Sequence, residues 1–330
     1  MMRIAFSAAA GFAVSFTLIA LMLRYRWHWA IDHPNERSLH RDPTPRSGGL
    51  AIIAGIVAAS VIAGIWHEKT PVAAVALAVL LAGVSLADDR GGLPITMRLG
   101  THLLAAGVFA AHLTDNVAPW WWMLAAVIAI TAITNFYNFM DGANGLAGGM
   151  AISGFVSYGL AALPAAPGFA TICFSVAAAA AGFLCFNLRG RIFMGDGGSV
   201  PLGFLAASVG LEGWVRGIWP VWFPLLVFAP FLVDAVVTLL TRMARGERFW
   251  LAHREHYYQR LVRSGWSHLR LVSLEYPLML ASAAGALIAR SGDQPMRTTI
   301  FTATALLLLV TGLAIDHKWR RHLASPAGTQ

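Results

Sequence analysis

The residues able to do chemistry fall in a few short polar stretches of an otherwise apolar chain. The densest is Asn135 to Gly149. Asn135, Asn138 and Asp141 recur at i, i+3 and i+6 and so share one helix face. Gly142, Gly145, Gly148 and Gly149 follow, which lets backbone come close to a ligand. Carboxylate and amide oxygens are what Mg²⁺ takes, together with waters and substrate phosphate. Asp88 and Asp89 close an apolar run. Two carboxylates at a helix C-terminus repel each other and the helix dipole, so a cation or donor must share their site unless solvent bathes them. Asp196 sits between Gly195 and Gly197-Gly198-Ser199, where a carboxylate can cap a helix or hold a metal. Asp234 lies inside an apolar run, as a functional group or as the buried partner of an arginine. His253 and His256 stand in a basic stretch with Arg254, Arg260 and Arg263, a cationic surface for phosphates or anionic lipid. Their spacing also suits zinc, but no third ligand set accompanies it. From His33 to Gly49, Pro34, Pro43 and Pro45 exclude regular helix, while Arg37, His40, Arg41 and Arg46 supply cations for a lipid phosphate. Acids, a divalent cation and arginines together are the apparatus of phosphoryl transfer. No P-loop is present, so the acceptor is expected in the membrane.

The elements that must position these residues are apolar helices. Of the 330 residues 57% are apolar and 12% charged, against about 25% charged in soluble domains. Mean hydropathy is +0.63. The expected fold is all-α: a polytopic membrane protein of ten or eleven transmembrane helices, forming one domain over 1–330. Candidate spans are about 4–23, 48–66, 70–87, 99–114, 119–134, 147–163, 168–186, 199–215, 219–241, 271–289 and 297–315. The ends of the N-terminal run carry no small-residue cleavage pattern, so it reads as an uncleaved span. Alternating the spans puts the polar loops, about 24–47, 88–98, 135–146, 187–198 and 242–270, on one face. All but Arg3, Lys69, Arg216, Arg290 and Arg297 of the 24 Lys and Arg fall there too. That asymmetry makes the face cytoplasmic, with the N-terminus periplasmic and the C-terminus cytoplasmic. Trp120, Trp121, Trp122, Trp214, Trp219 and Trp222 would form the outer aromatic belt. The net charge of +8 is explained by these loops, and no separate basic domain points to nucleic acid. Cys173 and Cys185, about 18 Å apart on one helix, cannot pair with each other.

Taken in order, Pro-Asn-x-Arg-Ser-x-His with Thr-Pro-Arg-x-Gly-Gly, Asp88-Asp89, Asn-x-x-Asn-x-x-Asp-Gly, Phe-Met-Gly-Asp-x-Gly-Ser, Asp234 and His-x-x-His resemble the polyprenyl-phosphate N-acetylhexosamine-1-phosphate transferases, from His33 to about Arg263. The resemblance implies a ten- or eleven-span enzyme of the bacterial inner membrane. It implies Mg²⁺, with Mn²⁺ as a substitute, a UDP-N-acetylhexosamine donor and undecaprenyl phosphate as acceptor. Sugar-1-phosphate would be transferred and UMP released. By position, Asp88, Asp89 and Asp141 look catalytic, and Asn138 and Asp196 look like metal ligands. Arg46, Asn135, Gly142, Asn144, Asn187, Phe193, His253, Arg254 and His256 look like substrate contacts, with Asn187 and Phe193 near uracil. The peptidoglycan translocase of the family carries a triple-His run where this chain has His253-Arg254-Glu255-His256. The resemblance is therefore closer to enzymes initiating O-antigen or related glycans, with UDP-GlcNAc, UDP-FucNAc or UDP-QuiNAc as donor. Homodimers occur in the family.

Two other classes would carry signatures of their own. A cation-coupled transporter or lipid carrier would place ionisable groups near the bilayer midplane and often show repeat halves. A phosphotransferase acting on CDP-activated lipid would show Asp-Gly-x-x-Ala-Arg, whereas Asp141-Gly142 is followed by Ala-Asn-Gly-Leu.

Overall fold

The computed structural model describes residues 1–27, 30–32, 43–64, 69–114, 118–248, 251 and 253–324, and for 69, 70 and 90 the backbone alone. Arg37 and His40, the Pro-Asn-x-Arg-Ser-x-His motif that holds them, and Arg41 after it lie outside the described residues.

The described chain is helical almost throughout. In order it forms α1 (Met2–Arg24), β1 (Ile31–Asp32), β2 (Thr44–Pro45), α2 (Gly48–Ala63), α3 (Lys69–Gly91), α4 (Ile95–Leu113), α5 (Trp120–Phe139), α6 (Leu146–Ala162), α7 (Pro167–Asn187), α8 (Asp196–Val215), α9 (Trp222–Val227), α10 (Ala229–Ala244), α11 (Tyr257–Arg263), α12 (His268–Ser291) and α13 (Gln294–Leu323). Each expected span has its helix. Six of them, α1, α3 (over Pro71–Asp89), α5, α7, α12 and α13, are long and apolar enough to cross a membrane, and α2 and α6 are apolar but shorter.

The ninth expected span, 219–241, is two helices that meet at Phe228. Pro230 enters the first turn of α10 without an N–H to donate, and its ring excludes the carbonyl four residues back. Within the 242–270 loop the chain makes the short helix α11, which the basic composition hid. Trp219 is no belt residue. It is 3% exposed, stacks on Tyr158 at 4.9 Å and donates its indole N–H to Gly210 O, so it is core. Trp120 and Trp121, at 76% and 59% exposure, fit the belt.

The core is one contiguous cluster running from Ile19 to Ile315. Helices approach closely where glycine faces a neighbour. A Cβ at Gly55 would stand 2.6 Å from the Gly11 carbonyl, joining α2 to α1. One at Gly203 would stand 2.8 Å from the Thr134 carbonyl, joining α8 to α5. Cys173 is buried and Cys185 exposed, both as free thiols.

Candidate active site

The polar loops meet at one end of the bundle, and their centre is Gly195. A two-residue ribbon, β1 against β2, turns the chain into α2. Phe193 extends it by donating its N–H to Pro45 O at 2.7 Å, and Gly48 and Gly49 donate to Phe193 O and Met194 O. These bonds lay the first turn of α2 against the first turn of α8. A Cβ at Gly49 would lie 2.5 Å from Gly198 Cα, so glycine is required on both chains for this approach. The approach delivers Arg46 to Asp196.

Gly195 caps α8 with φ 68° and ψ 172°, a conformation essentially confined to glycine. A side chain there would meet the Arg46 carbonyl at 2.8 Å and Asp89 Oδ2 at 3.3 Å. Around it stand four carboxylates. Asp196 is the first residue of α8, where the helix dipole favours a negative charge. Asp88 and Asp89 are in the last turn of α3. Asp141 follows α5, and the Gly195 backbone hydrogen-bonds to its carboxylate. Asn138 joins them, its Oδ1 accepting from Ser199 Oγ at 2.5 Å.

Two arginines cross this cluster. Arg46 Nη2 lies 3.1 Å from Asp89 Oδ1 and 3.6 Å from Asp196 Oδ1. Arg98, on the first turn of α4, bonds Asp88 through Nε at 3.1 Å and Asp196 through Nη2 at 3.0 Å. The adjacent carboxylates of the sequence are thus divided: Asp88 goes to Arg98 and the Leu93 N–H at 2.6 Å, Asp89 to Arg46. Burial pushes the Asp141 carboxyl well above the usual carboxylate range. Asp196 and Asp89 add to that, and Arg46 pulls against it. Burial lowers the Arg46 pKa, but Asp89, Asp196 and Asp32 outweigh it and the net shift is upward.

These oxygens fit a divalent cation. Asp89 Oδ2 is buried and has no hydrogen-bond partner among the described residues, a costly state for a carboxylate oxygen. Among the described residues no three His, Cys, Asp or Glu side chains form a closed metal cage. Mg²⁺ does not need one, since it keeps waters and takes one or two carboxylates with substrate phosphate.

The His-x-x-His stretch docks on the same end through α11. His256 caps α11 and is buried. Its Nδ1 lies 3.1 Å from Asp234 Oδ1, which also receives the Tyr257 N–H, while Asp234 Oδ2 receives the Tyr258 N–H. Asp234 is therefore the anionic cap of α11 and the partner of a histidine, not of an arginine. Tyr258 donates its hydroxyl to Phe139 O at 2.9 Å and lies against Gly142. His253 lies against His256, the rings tilted at 33° with centroids 4.8 Å apart. Burial, then His256 and Arg242, lower the His253 pKa to about 4. It thus offers a neutral imidazole at neutral pH rather than the cation its basic surroundings suggest. Glu255 is drawn off by Arg242 and Arg245, and the Arg254 carbonyl holds Arg263 at 3.0 Å.

The remaining expected contacts are distributed as follows. Asn187 is buried, with Oδ1 accepting from Gly145 N at 2.7 Å and Nδ2 donating to Ile192 O at 2.9 Å. Its amide ties the 140–145 turn to the 188–195 turn. Asn144 donates its backbone N–H to His268 Nδ1. Asn135 spends its amide on Thr131 O at 2.7 Å and faces His102 Nδ1 at 3.4 Å. It turns toward α4, while Asn138 turns toward α8. Phe193 is half-buried beside the ribbon. Sequence reasoning missed Arg98, Ser199, Tyr258 and the capping role of Asp234. The Ser of Asp-x-Gly-Ser was legible as a motif member, but nothing in its spacing named Asn138 as its partner, and Arg98 carries no signal beyond its charge.

Acids and arginines gathered at one end of a bundle of apolar helices are the arrangement a membrane-embedded phosphotransferase needs. Comparison with known proteins agrees. Residues 71–213 match the Glycosyl transferase family 4 model. The decaprenyl-phosphate N-acetylglucosaminephosphotransferase of Mycolicibacterium smegmatis is 31% identical over 87% of this chain and 79% of its own. The undecaprenyl-phosphate alpha-N-acetylglucosaminyl 1-phosphate transferase of Yersinia pestis is 27% identical over 88% and 85%. The phospho-N-acetylmuramoyl-pentapeptide-transferase of Picosynechococcus is 29% identical over 74% of each. The chain belongs to the polyprenyl-phosphate N-acetylhexosamine-1-phosphate transferase family. It is an enzyme, a phosphotransferase of the glycosyl-1-phosphate transferase group, and the transporter reading is set aside.

Proposed function

We propose that this enzyme transfers N-acetylhexosamine-1-phosphate from a UDP-sugar to undecaprenyl phosphate, releasing UMP and starting O-antigen or related glycan synthesis. The observation that carries the proposal is the convergence of Asp88, Asp89, Asp141, Asp196 and Asn138 around Gly195, crossed by Arg46 and Arg98. That the family relatives are named for N-acetylglucosaminyl-1-phosphate transfer supports it. An oxygen of the lipid phosphate attacks the β-phosphorus of the donor, and the bond to the bridging oxygen breaks with its electron pair leaving on UMP. A phosphate monoester has its second pKa near about 6 and is mostly dianionic at neutral pH, so Asp88 and Asp89 align the acceptor more than they deprotonate it. Asn138 and Asp196 would hold a Mg²⁺, which when bound would supply neutralisation of phosphate charge. The turn from Asp141 to Gly145 takes the donor, with Tyr258, Asn187 and His268 holding it rigid.

In the membrane, α9 and α10 count as one broken span, giving eleven. The basic loops favour a cytoplasmic site in the bacterial inner membrane, with the N-terminus periplasmic and the C-terminus cytoplasmic. The His253-Arg254-Glu255-His256 loop favours UDP-GlcNAc, UDP-FucNAc or UDP-QuiNAc over a MurNAc-pentapeptide donor.

The test is UMP release by purified protein given undecaprenyl phosphate, Mg²⁺ and a panel of UDP-N-acetyl sugars. Release from at least one donor, dependent on both lipid and metal, is expected. Release without the lipid acceptor, or from no member of the panel, overturns the proposal.

A further inference from the structure

A second cationic cluster lies apart from the carboxylate cluster, at the end of the last helix. Helix α13 has 30 residues, so it is about 45 Å long at a rise of about 1.5 Å per residue. A hydrocarbon core of about 30 Å takes about 20 of them. Only 6% of its apolar stretch is buried within the molecule, so that stretch turns outward from the bundle, where lipid would meet it. Its last two turns therefore emerge at the depth of the headgroups. They emerge at the same bundle end as the active site, since Arg260 of α11 bonds Asp316 at 2.6 Å.

At that depth His317, Lys318, Arg321 and His322 of α13, with Ser264 of the α11–α12 turn, line a cavity of about 310 Å³. Among the described residues no acidic side chain lines it. The nearest one in sequence, Asp316, is engaged by Arg260. Two indoles underlie the cations. Trp266 carries Arg270 over its ring at 4.3 Å and Lys318 at 5.9 Å, and Trp319 carries Arg263 at 4.8 Å. Tryptophan is the residue that sits at the headgroup level, and these ring contacts hold cationic side chains there at little entropic cost. The cavity is thus cationic, backed by interfacial aromatics and open beside a lipid-facing helix.

We infer that this cavity binds the phosphate of an anionic phospholipid headgroup, with the acyl chains lying along α13. The charge is complementary, and the depth distinguishes a lipid from a free anion. A phosphate already confined to the membrane plane meets these cations at high effective concentration, whereas the same cations hold inorganic phosphate weakly in water.

The experiment is native mass spectrometry of the full-length protein in detergent micelles, titrated with phosphatidylglycerol or phosphatidylcholine. Wild type is expected to retain phosphatidylglycerol at lower concentration than phosphatidylcholine. Lys318→Gln with Arg321→Gln should raise the half-saturating phosphatidylglycerol concentration about 25-fold, about fivefold for each cation removed. Phosphatidylcholine retention should not change. The exchange Lys318→Arg with Arg321→Lys keeps both charges and should retain the lipid. Arg290→Gln, on the last turn of α12 at the opposite end, should leave retention unchanged. An unaltered thermal midpoint for the double Gln variant excludes misfolding as the cause. Equal retention of phosphatidylglycerol by wild type and the double Gln variant overturns the inference. So does equal binding of the two lipids by wild type, or displacement of phosphatidylglycerol by an equal concentration of inorganic phosphate.

Discussion

The phenol of Tyr258 occupies the space that a side chain at residue 142 would need. A Cβ on Gly142 would stand 3.1 Å from Tyr258 Cζ and closer still to the hydroxyl, and that hydroxyl is tied to Phe139 O. The His-x-x-His loop and the Asp141 turn are thus one rigid body. Gly142→Ala must push Tyr258 off or shift the turn, at about 1–3 kcal/mol for overpacking. A displacement of about 1 Å beside the reacting groups costs about 10²-fold in turnover. Adding Tyr258→Phe removes the clashing oxygen and should restore part of both losses. Thermal midpoints and UMP release for the single and double variants check this. A double variant no better than Gly142→Ala alone would break the link between the two loops.

Asp234 holds the other end of that body. Its carboxylate accepts from Thr238 Oγ1, His256 Nδ1, Tyr257 N and Tyr258 N. Asp234→Ala leaves the first N–H groups of α11 bare, a lost cap of about 0.5–2 kcal/mol plus unsatisfied buried donors. Asp234→Asn keeps an acceptor and should lose less. Hydrogen exchange at residues 257–260 should quicken in the Ala variant, while amides in α6 and α7 stay protected. Unchanged exchange at 257–260 would show that α11 is held by something else.

How much of this was open to reading from the chain depends on the scale. Apolar runs near the length of a span gave the helices, because in hydrocarbon the backbone must satisfy itself within the helix. The break at Phe228 could have been seen in Pro224 and Pro230, but a hydropathy window averages over it. Asp88, Asp89, Asn138, Asp141 and Asp196 stood out because carboxylates and amides have no place on lipid-facing helix. Their partners did not. Arg98 carries no signal beyond its charge, and only the turn closed by Leu93 onto Asp88 brings it back across the cluster. Asn187 stood out as a nucleoside contact through the family resemblance alone. Its two backbone bonds answer orphan groups of two adjoining turns, a demand visible only once both turns are placed. His253 looked cationic among arginines, and burial reverses that.

The Asp141 carboxyl has its pKa raised from 3.8 by burial and by Asp196 and Asp89. A carboxyl whose folded pKa exceeds its unfolded value binds its proton more tightly when folded. Its contribution to stability is therefore greatest below the unfolded pKa and declines as pH rises through the folded one. The thermal midpoint of the metal-free protein should fall as pH is raised from about 4 toward neutrality. Asp141→Asn should flatten that slope. A slope equal to wild type in the Asn variant would mean that another group carries it.

Arg46 is the cation that keeps Asp89 and Asp196 together, at 3.1 and 3.6 Å, and a Mg²⁺ at Asp196 would screen the same charges. The two should partly substitute for each other in stability, whatever each does for turnover. Arg46→Ala leaves the buried Asp89 oxygens without their cation, so its thermal midpoint should drop by several degrees, as a loss of about 1–2 kcal/mol gives in a chain of this size. Millimolar Mg²⁺ should then raise the midpoint of Arg46→Ala by more than it raises that of wild type. In Arg46→Ala with Asp196→Asn that extra gain should vanish, because one carboxylate of the pair has gone. Arg46→Lys should fall between, since a lysine is a point charge and cannot bridge two carboxylates with a planar fork. These are measurements of stability alone and need no donor or acceptor. An equal Mg²⁺ response in wild type and Arg46→Ala would separate the metal from the Arg46 carboxylates and move it elsewhere in the cluster.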